Sequence, residues 1–205
     1  MIVVDVETTG TNPNEHSIVS IGAVEFENPT NRFYQECRAF DNAKIEQEAL
    51  AVNGFSYDDV TDPTKKSLED IMKDFINWAS GFKNKTMVAH NASFDMGFLK
   101  ASANRYNLYW TFSYIPLDTH TIAYIDIFKK DSTNPLIYGS SSLSLNKTLE
   151  YVGLPKEPNP HNALTGAIHE TEVMYRLVLG TSALEEFKSY PIPTHLAKIK
   201  QASLF

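Results

Sequence analysis

Two apolar segments rich in β-branched residues lie near the start of the chain, at residues 2–4 and 18–26, and residues 32–37 are a candidate third strand. Segments of this kind, with turn-forming residues at 28–31 before the third, are typical of consecutive β-strands. Helical and strand patterns alternate along the rest of the chain. Three strands followed by alternating helices and strands favour a mixed sheet flanked by helices, so the sequence predicts an α/β fold.

The later elements are predicted from the spacing of apolar residues. This spacing predicts helices over residues 45–52, 67–80, 94–106, 119–128, 143–152 and 162–179. The apolar runs 86–89 and 115–117 are predicted strands, and the polar stretch 129–142 is a predicted loop. Because the periodicity weakens after Gly180, we expect a domain over residues 1–180 and a C-terminal tail over residues 181–205.

Composition narrows the classes of protein that the chain can belong to. Its 205 residues, of which 42% are hydrophobic, are typical of one globular domain. It has no apolar run near the ~20 residues of a bilayer span, and its N-terminus lacks the basic region of a signal peptide. Cys37, the only cysteine, excludes an internal disulfide and fits a reducing cytoplasm. The net charge of −7 implies that any contact with nucleic acid is local and supported by bound cations.

Paired acids follow the first predicted strand, in the segment Asp5-Val6-Glu7-Thr8-Thr9-Gly10. Residues two apart on a strand point to the same face, so Asp5 and Glu7 present parallel carboxylates that could share hard divalent cations. The alternative is a solvated strand end followed by a Thr-Gly turn.

Two further segments carry candidate site residues. Asp95 ends the segment His-Asn-Ala-Ser-Phe-Asp at a strand-to-helix junction, where a carboxylate could also serve only to stabilise the helix N-terminus. His161 directly precedes the last predicted helix. Such a histidine is often a surface residue, but beside bound metals it could take a proton from water.

Taken together, these three segments resemble the DEDDh exonuclease family. The matching motifs are Asp-x-Glu-Thr-Thr-Gly at residues 5–10, His-Asn-Ala-x-Phe-Asp at 90–95 and His-x-Ala-Leu at 161–164. The segments 45–50, 53–55, 118–119, 143–145 and 151–154 also match the family pattern. The resemblance covers residues 1 to about 180. Within the family, the sequence is most similar to the proofreading exonucleases of bacterial replicative polymerases and their stand-alone relatives.

The resemblance implies a ribonuclease H-like fold with a five-stranded mixed sheet, and 3′→5′ hydrolysis with two Mg²⁺ or Mn²⁺ ions. It assigns Asp5 to bridge both ions, Glu7 and Asp95 to complete the metal site, and His161 to deprotonate the attacking water. The partner it implies is a single-stranded nucleic acid 3′ end. The expected substrate-binding residues are Thr8 and Thr9 through their backbone, Phe94 through stacking on a base, and Asn91.

The sequence departs from the family pattern at Gly166, where the family has its last metal-binding Asp. Glu170 lies one turn later on the same helical face, and its longer side chain leans toward the helix N-terminus. We therefore expect Glu170 to replace the missing ligand, with the space at Gly166 leaving it room. The alternative is that Glu170 is an exposed helical residue. Glu172 points elsewhere, and His169 is a rival candidate for the base.

The last five residues resemble the short peptide with which bacterial proteins bind the replicative sliding clamp. We expect Gln201, Leu204 and Phe205 to be the partner-binding residues of this tail. The sequence thus favours a metal-dependent exonuclease acting on DNA. An RNA-trimming or oligoribonucleotide-degrading enzyme is a second hypothesis, and a nucleic-acid-binding protein weakened in catalysis by Gly166 is a third.

Overall fold

The computed structural model describes residues 1–131, 136–137 and 140–197. Its centre is one mixed sheet with the strand order β3–β2–β1–β4–β5. The strands are β1 (Ile2–Thr8), β2 (Ile18–Glu25), β3 (Arg32–Glu36), β4 (Met87–Ala89) and β5 (Leu117–Asp118). Strand β2 is antiparallel to β1 and β3, whereas β4 is parallel to both β1 and β5. The predicted mixed sheet of five strands is confirmed.

Seven α-helices lie in the described part of the chain. They are α1 (Gln47–Asn53), α2 (Tyr57–Thr61), α3 (Leu68–Ala79), α4 (Ala92–Arg105), α5 (Thr119–Lys130), α6 (Leu145–Tyr151) and α7 (Ala163–Met174). The predicted loop over 129–142 is wrong in part, because α5 continues to Lys130 and a two-stranded ladder joins β6 (Leu136–Ile137) to β7 (Ser140–Ser141). The predicted helix over 162–179 ends as an α-helix at Met174 and continues as a π-helical turn, Tyr175–Leu179.

Strand β1 packs against helices on both faces. Ile2, Val4 and Val6 belong to the main hydrophobic core, which α3 and α4 cover. Val3 faces the other way and packs with Met174 at the end of α7. Because side chains alternate along a strand, residues 5 and 7 lie on the face that α7 covers.

Close contact between α7 and the sheet depends on Gly22. This residue pairs with Asp5 in the ladder between β1 and β2. A Cβ at Gly22 would lie 2.1 Å from the carbonyl carbon of Ala163, the first residue of α7. The missing side chain therefore lets the first turn of α7 rest directly on the sheet beside Asp5.

A buried ion pair joins the end of α7 to the C-terminal segment. Glu172 and Arg176 both have fully buried side chains, with Oε1 of Glu172 2.8 Å from Nε of Arg176. Glu172 accepts the backbone N–H groups of residues 183 and 184, and Arg176 donates to the carbonyls of residues 187, 190 and 191. The buried charged groups of both side chains therefore have hydrogen-bond partners, which offset their removal from water.

The residues after Gly180 contribute to a hydrophobic cluster. Leu184, Phe187 and Leu196 pack with Val152 and Val173. Residues 181–197 thus lie on the domain, and the division into 1–180 and a tail stays a prediction. The proposed partner-binding peptide at 201–205 lies outside the described residues. No helix in the described ranges is both long and apolar enough to span a membrane.

Candidate active site

The second half of β1 is open along the edge that faces β4. Strand β4 pairs only with residues 2 and 3 of β1, so the later N–H groups on this edge need other partners. The backbone N–H of Val6 donates to Oδ1 of Asp95 at 3.1 Å. Asp95 lies in the first turn of α4. This hydrogen bond brings the second sequence motif to the first and places Asp95 beside Asp5 and Glu7. The role of Asp95 as a metal ligand stays a prediction.

Helix α7 brings a fourth carboxylate to the same place. The side chain of Glu170 is buried, with the residue 2% exposed, and it lines a cleft of about 310 Å³ together with Asp5, Glu7 and His161. Its Oε2 has no hydrogen-bond partner. The alternative of an exposed helical residue is therefore wrong, and the placement of Glu170 agrees with the expected ligand. Its role in metal binding stays a prediction.

The space left by the missing side chain of Gly166 was expected to accommodate Glu170, but it holds Asp5 instead. A Cβ at this position would lie 2.1 Å from Oδ2 of Asp5. The carboxylate of Asp5, and not that of Glu170, therefore occupies the room that the glycine leaves. Gly166 lets α7 approach β1 closely enough for Asp5 and Glu170 to face one cleft.

His161 is fixed by its backbone and by the cap of α7. Its N–H donates to the carbonyl of Val52 at 3.0 Å. The side chain of Asn162 caps α7 by accepting the N–H groups of Leu164 and Thr165. The imidazole is 34% exposed and lines the cleft. A half-exposed imidazole facing carboxylates is suited to exchange protons with water.

Glu157, one of the four acids that line the cleft, was not predicted. Its Oε2 lies 3.8 Å from Nδ1 of His161. It belongs to the proline-rich connector before α7, where no periodic pattern indicates the direction of a side chain. The one available signal was its position four residues before the histidine.

Burial and mutual repulsion raise the pKa values of the clustered acids. Burial raises the pKa of Glu7 to about 7, with a further contribution from the charge of Glu157. Burial raises the pKa of Asp95 to about 8, although the Val6 N–H opposes the shift. The pKa values of Asp5 and Glu170 are raised well above their ordinary ranges, first by burial and then by the charge of Asp95. Asp5 keeps partial access to the cleft.

The donor set fits hard divalent cations. Among the described residues, the cleft lining contains four carboxylates and two histidines but no Lys or Arg, so the negative charge has no compensation from a Lys or Arg in the lining. Carboxylate oxygens are the ligands that Mg²⁺ and Mn²⁺ prefer. In the described ranges, no three His, Cys, Asp or Glu side chains already converge in metal-binding geometry. Like-charged carboxylates repel one another, so we expect cation binding to draw them together through side-chain rotation.

Of the four expected substrate-binding residues, two line the cleft and two do not. Thr8 and Phe94 line the cleft. Asn91 lies at a neighbouring polar cavity that also includes His90 and His120. Thr9 is fully buried, its N–H donates to Ser17 at 2.8 Å and its carbonyl accepts the N–H of Glu46 at 2.8 Å. Its backbone groups are engaged within the fold and it does not line the cleft, so the expected contact between Thr9 and a nucleotide stays a prediction that the structure does not support.

The structure does not support the rival base either. His169 is 6% exposed, its Nδ1 lies 2.8 Å from the carbonyl oxygen of Thr165, and its ring packs on Phe187. It does not line the cleft. Glu172, as expected, also points away from the cleft, toward Arg176.

We expect the metal-free protein to lose stability as the pH rises. Glu7 and Asp95 have ordinary pKa values of 4.5 and 3.8, which folding raises to about 7 and about 8. Between the ordinary and the raised pKa values of these two groups, the folded state therefore binds more protons than the unfolded state. The free energy of unfolding falls as the pH rises through this range. The test is the midpoint of thermal unfolding from pH 4 to 8 in chelator. Mn²⁺ should flatten this slope, and NaCl of equal ionic strength should not. An identical slope in Mn²⁺ would contradict the cation site.

Gly166→Ala should remove activity without unfolding the chain. The new Cβ would displace the carboxylate of Asp5, which is the end of a flexible side chain, so the backbone need not move. We expect a loss of cleavage of about 10²-fold, as for misplacement of a catalytic group by ~1 Å. Gly81→Ala is the matched control, because nothing lies within 4 Å of that position. Equal rates for both variants would show that Asp5 needs no fixed position.

The fold and the cleft define an α/β protein with a carboxylate cluster at the open end of its central strand. The family model for exonucleases matches residues 2–172, and the chain belongs to this family. Exonucleases of this family depend on divalent metal ions.

Two relatives indicate the range of proteins within this family. The DNA polymerase III subunit epsilon of Buchnera aphidicola subsp. Schizaphis graminum is 38% identical over 107 residues, which cover 48% of this chain and 43% of the relative. Ribonuclease T of Yersinia pseudotuberculosis is 26% identical over 209 residues, which cover 94% of this chain and 89% of the relative. The match thus spans less than half of the polymerase subunit but most of the ribonuclease.

Solved structures confirm the ribonuclease H-like exonuclease fold. The nuclease domain of 3′hExo, a DEDDh family member bound to rAMP, has a TM-score of 0.62 at 17% identity over 94% of both chains. Exonuclease I of E. coli in complex with a dA16 oligonucleotide has a TM-score of 0.66 at 14% identity, covering 87% of this chain and 40% of that one.

Proposed function

We propose that this chain is a 3′→5′ exonuclease that hydrolyses single-stranded nucleic acid from its 3′ end and releases nucleoside monophosphates. The observation that carries the proposal is the convergence of Asp5, Glu7, Glu170 and His161 on a single cleft. A further carboxylate, Asp95, is bonded to the backbone of β1 between Asp5 and Glu7. Membership of the exonuclease family supports the same reaction.

In this proposal Asp5, Glu7, Asp95 and Glu170 hold two ions of the Mg²⁺ or Mn²⁺ class. When bound, the ions supply Lewis-acid stabilisation of the charge that develops on the scissile phosphate. Gly166 gave reason to consider a protein that binds nucleic acid without cutting it. The buried carboxylate of Glu170 in the cleft favours cleavage instead, because the number of acids expected for the site is restored.

His161 acts as the general base. Its Nδ1 edge faces Glu157, which leaves Nε2, on the opposite edge of the ring, to take the proton from the attacking water. The attacking oxygen then forms a bond to phosphorus as the bond to the leaving 3′ oxygen of the preceding nucleotide breaks. A proton then neutralises that oxygen. A base with partial access to solvent can release its proton after each turnover.

The walls of the cleft suit a terminal nucleotide of any sequence. Phe94, Val52 and Ala49 provide apolar surface, and Val52 is 52% exposed. Apolar and aromatic surface accepts the face of every base, which sequence-independent trimming requires. Phe94 is therefore the proposed stacking residue, and Thr8 the proposed backbone contact.

We propose DNA as the preferred substrate, on the similarity to the epsilon subunit of DNA polymerase III. RNA is the second candidate, because ribonuclease T matches over most of both chains. Matched single-stranded DNA and RNA of one sequence, labelled at the 5′ end, would be digested with Mg²⁺, with Mn²⁺ and with chelator. We expect a ladder of products shortened one nucleotide at a time, lost in chelator. Products cut internally, or cleavage that survives chelation, would contradict the proposal. The relative rates decide between DNA and RNA.

His161→Ala should lower the turnover rate by about 10²- to 10⁴-fold, the usual contribution of a positioned general base. Mn²⁺ affinity, measured by calorimetric titration, should change little because His161 is not a proposed ligand. His195→Ala is the control, since that residue is exposed and does not line the cleft. An unchanged turnover rate would assign the base elsewhere.

The proposed partner is a single-stranded 3′ end. Binding of the sliding clamp through Gln201, Leu204 and Phe205 stays a prediction from the sequence, since these residues lie outside the described part of the chain.

A further inference from the structure

Glu157 is held firmly in the connector between α6 and α7. Its backbone N–H donates to Oδ1 of Asn146, in the first turn of α6, at 2.9 Å. Its side chain is 4% exposed, and it lines the same cleft as Asp5 and Glu7. Anchoring at the backbone and burial at the side chain leave the carboxylate few directions in which to point.

The two oxygens of Glu157 have different surroundings. Oε1 is buried without a hydrogen-bond partner. Oε2 lies 3.8 Å from Nδ1 of His161. A buried carboxylate without full hydrogen bonding is costly, and other acids nearby increase that cost. Packing alone therefore favours a neutral side chain at this position.

We propose that Glu157 is a positioning residue for His161. Its Oε2 accepts a hydrogen bond from Nδ1–H, which selects the ring tautomer whose Nε2 is free to take a proton. The separation of 3.8 Å is that of an ion pair, and a movement of about 1 Å brings it to hydrogen-bond length. Such bonds are often long in free enzymes and shorten when substrate binds. The inference rests on the proposed function, because it assigns the base of that reaction its orientation.

In this arrangement a carboxylate lies behind a catalytic imidazole. A negative charge near Nδ1 stabilises the Nδ1–H tautomer and also the imidazolium that forms when Nε2 is protonated. In water the other tautomer, with the proton on Nε2, is the more common one for a free histidine side chain, and in it Nε2 cannot act as a base. Among the described residues no hydrogen bond to Nε2 of His161 competes for the ring.

Two substitutions in the full chain test the proposal. Glu157→Leu removes the acceptor and the charge, and Glu157→Gln removes the charge while keeping an amide oxygen at the same place. We expect kcat to fall by about 10²-fold in Glu157→Leu and by less in Glu157→Gln, with KM within about twofold of wild type. Mn²⁺ affinity should stay within about threefold. The midpoint of thermal unfolding should rise in Glu157→Gln, because a repelling charge leaves the cluster.

Nitrogen-15 NMR of the imidazoles gives a readout that does not depend on cleavage. In wild type, the His161 ring at pH 8 should carry its proton on Nδ1, and in Glu157→Leu it should move to Nε2. Glu150→Gln is the control, since Glu150 is exposed on α6. If wild type cuts no substrate, the proposed function fails, whereas the tautomer still tests the contact.

Three results would overturn the positioning role. A fall in Mn²⁺ affinity of about tenfold or more in Glu157→Gln would make Glu157 a metal ligand. An unchanged tautomer together with an unchanged kcat would remove its influence on His161. A rise in KM at constant kcat would assign it to substrate binding. If Glu157→Leu does not fold, Glu157→Ala, which also removes both the acceptor and the charge, takes its place in the same measurements.

Discussion

Glu170→Ala is expected to lower metal-dependent cleavage by about 10³-fold or more. Loss of one carboxylate from a catalytic metal site removes several kcal/mol of stabilisation of the transition state, which corresponds to that factor. Glu170 is buried in the cleft with an unpartnered Oε2, and no other acid of α7 faces the site. The rate should fall while the fold remains, because removing a repelling charge relieves the metal-free cluster.

The measurement is the rate of mononucleotide release in Mg²⁺ and in Mn²⁺, together with Mn²⁺ affinity. Glu150→Ala is the matched control, because Glu150 is an exposed glutamate on the neighbouring helix. Glu172→Ala, which the sequence offers as the natural control, is unsuitable because that residue forms a buried ion pair. If Glu170→Ala binds Mn²⁺ and cuts as wild type does, Glu170 does not replace the missing Asp.

Glu172→Ala should destabilise the protein by about 3–5 kcal/mol, the usual cost of removing one partner of a buried ion pair. Arg176 would keep its charge at full burial, and the N–H groups of Ala183 and Leu184 would lose their acceptor. The measurement is unfolding in urea, where the midpoint concentration should fall markedly.

The control for this prediction is Glu185→Ala, which removes an exposed ion pair with Lys188 and should change the free energy of unfolding by about 0.5 kcal/mol or less. A double variant, Glu172→Leu with Arg176→Met, should be less destabilised than the sum of its single variants, because no charge is left unpaired. A loss for Glu172→Ala no larger than for Glu185→Ala would contradict the structural role of the ion pair.

The fold was accessible from the sequence because its signals are local. The nearly continuous apolar run of β1 and the caps of α3 at Ser67 and of α7 at Asn162 reflect residues close in the chain. Asp5 and Glu7 were predicted as a pair from their spacing on one face of a strand, whereas the roles of Asp95 and His161 rested on the resemblance to the exonuclease family. Glu170 was predicted from helical spacing to Gly166, once the resemblance had shown that a carboxylate is missing there.

What the sequence did not show depends on contacts between distant segments. Glu157 lies in an irregular connector, so its approach to His161 depends on how that connector folds over the cleft. The burial of Thr9 depends on bonds to residues 17 and 46. The packing of residues 184–196 depends on Arg176, whose partners lie up to 24 positions away. None of these contacts leaves a periodic pattern.

Glu172 and Arg176, the partners of the buried ion pair at the end of α7, also determine where the chain can be truncated. The family match ends at residue 172, yet the backbone groups that Glu172 and Arg176 bind extend to Pro191. A chain truncated after Gly180 would lack these backbone groups. The charged side chains of Glu172 and Arg176 would then be exposed to water near the end of α7, the helix that carries Glu170. We therefore expect the smallest cooperative folding unit to reach at least residue 191, and a chain that ends near residue 182 to be less stable and less active than the full chain.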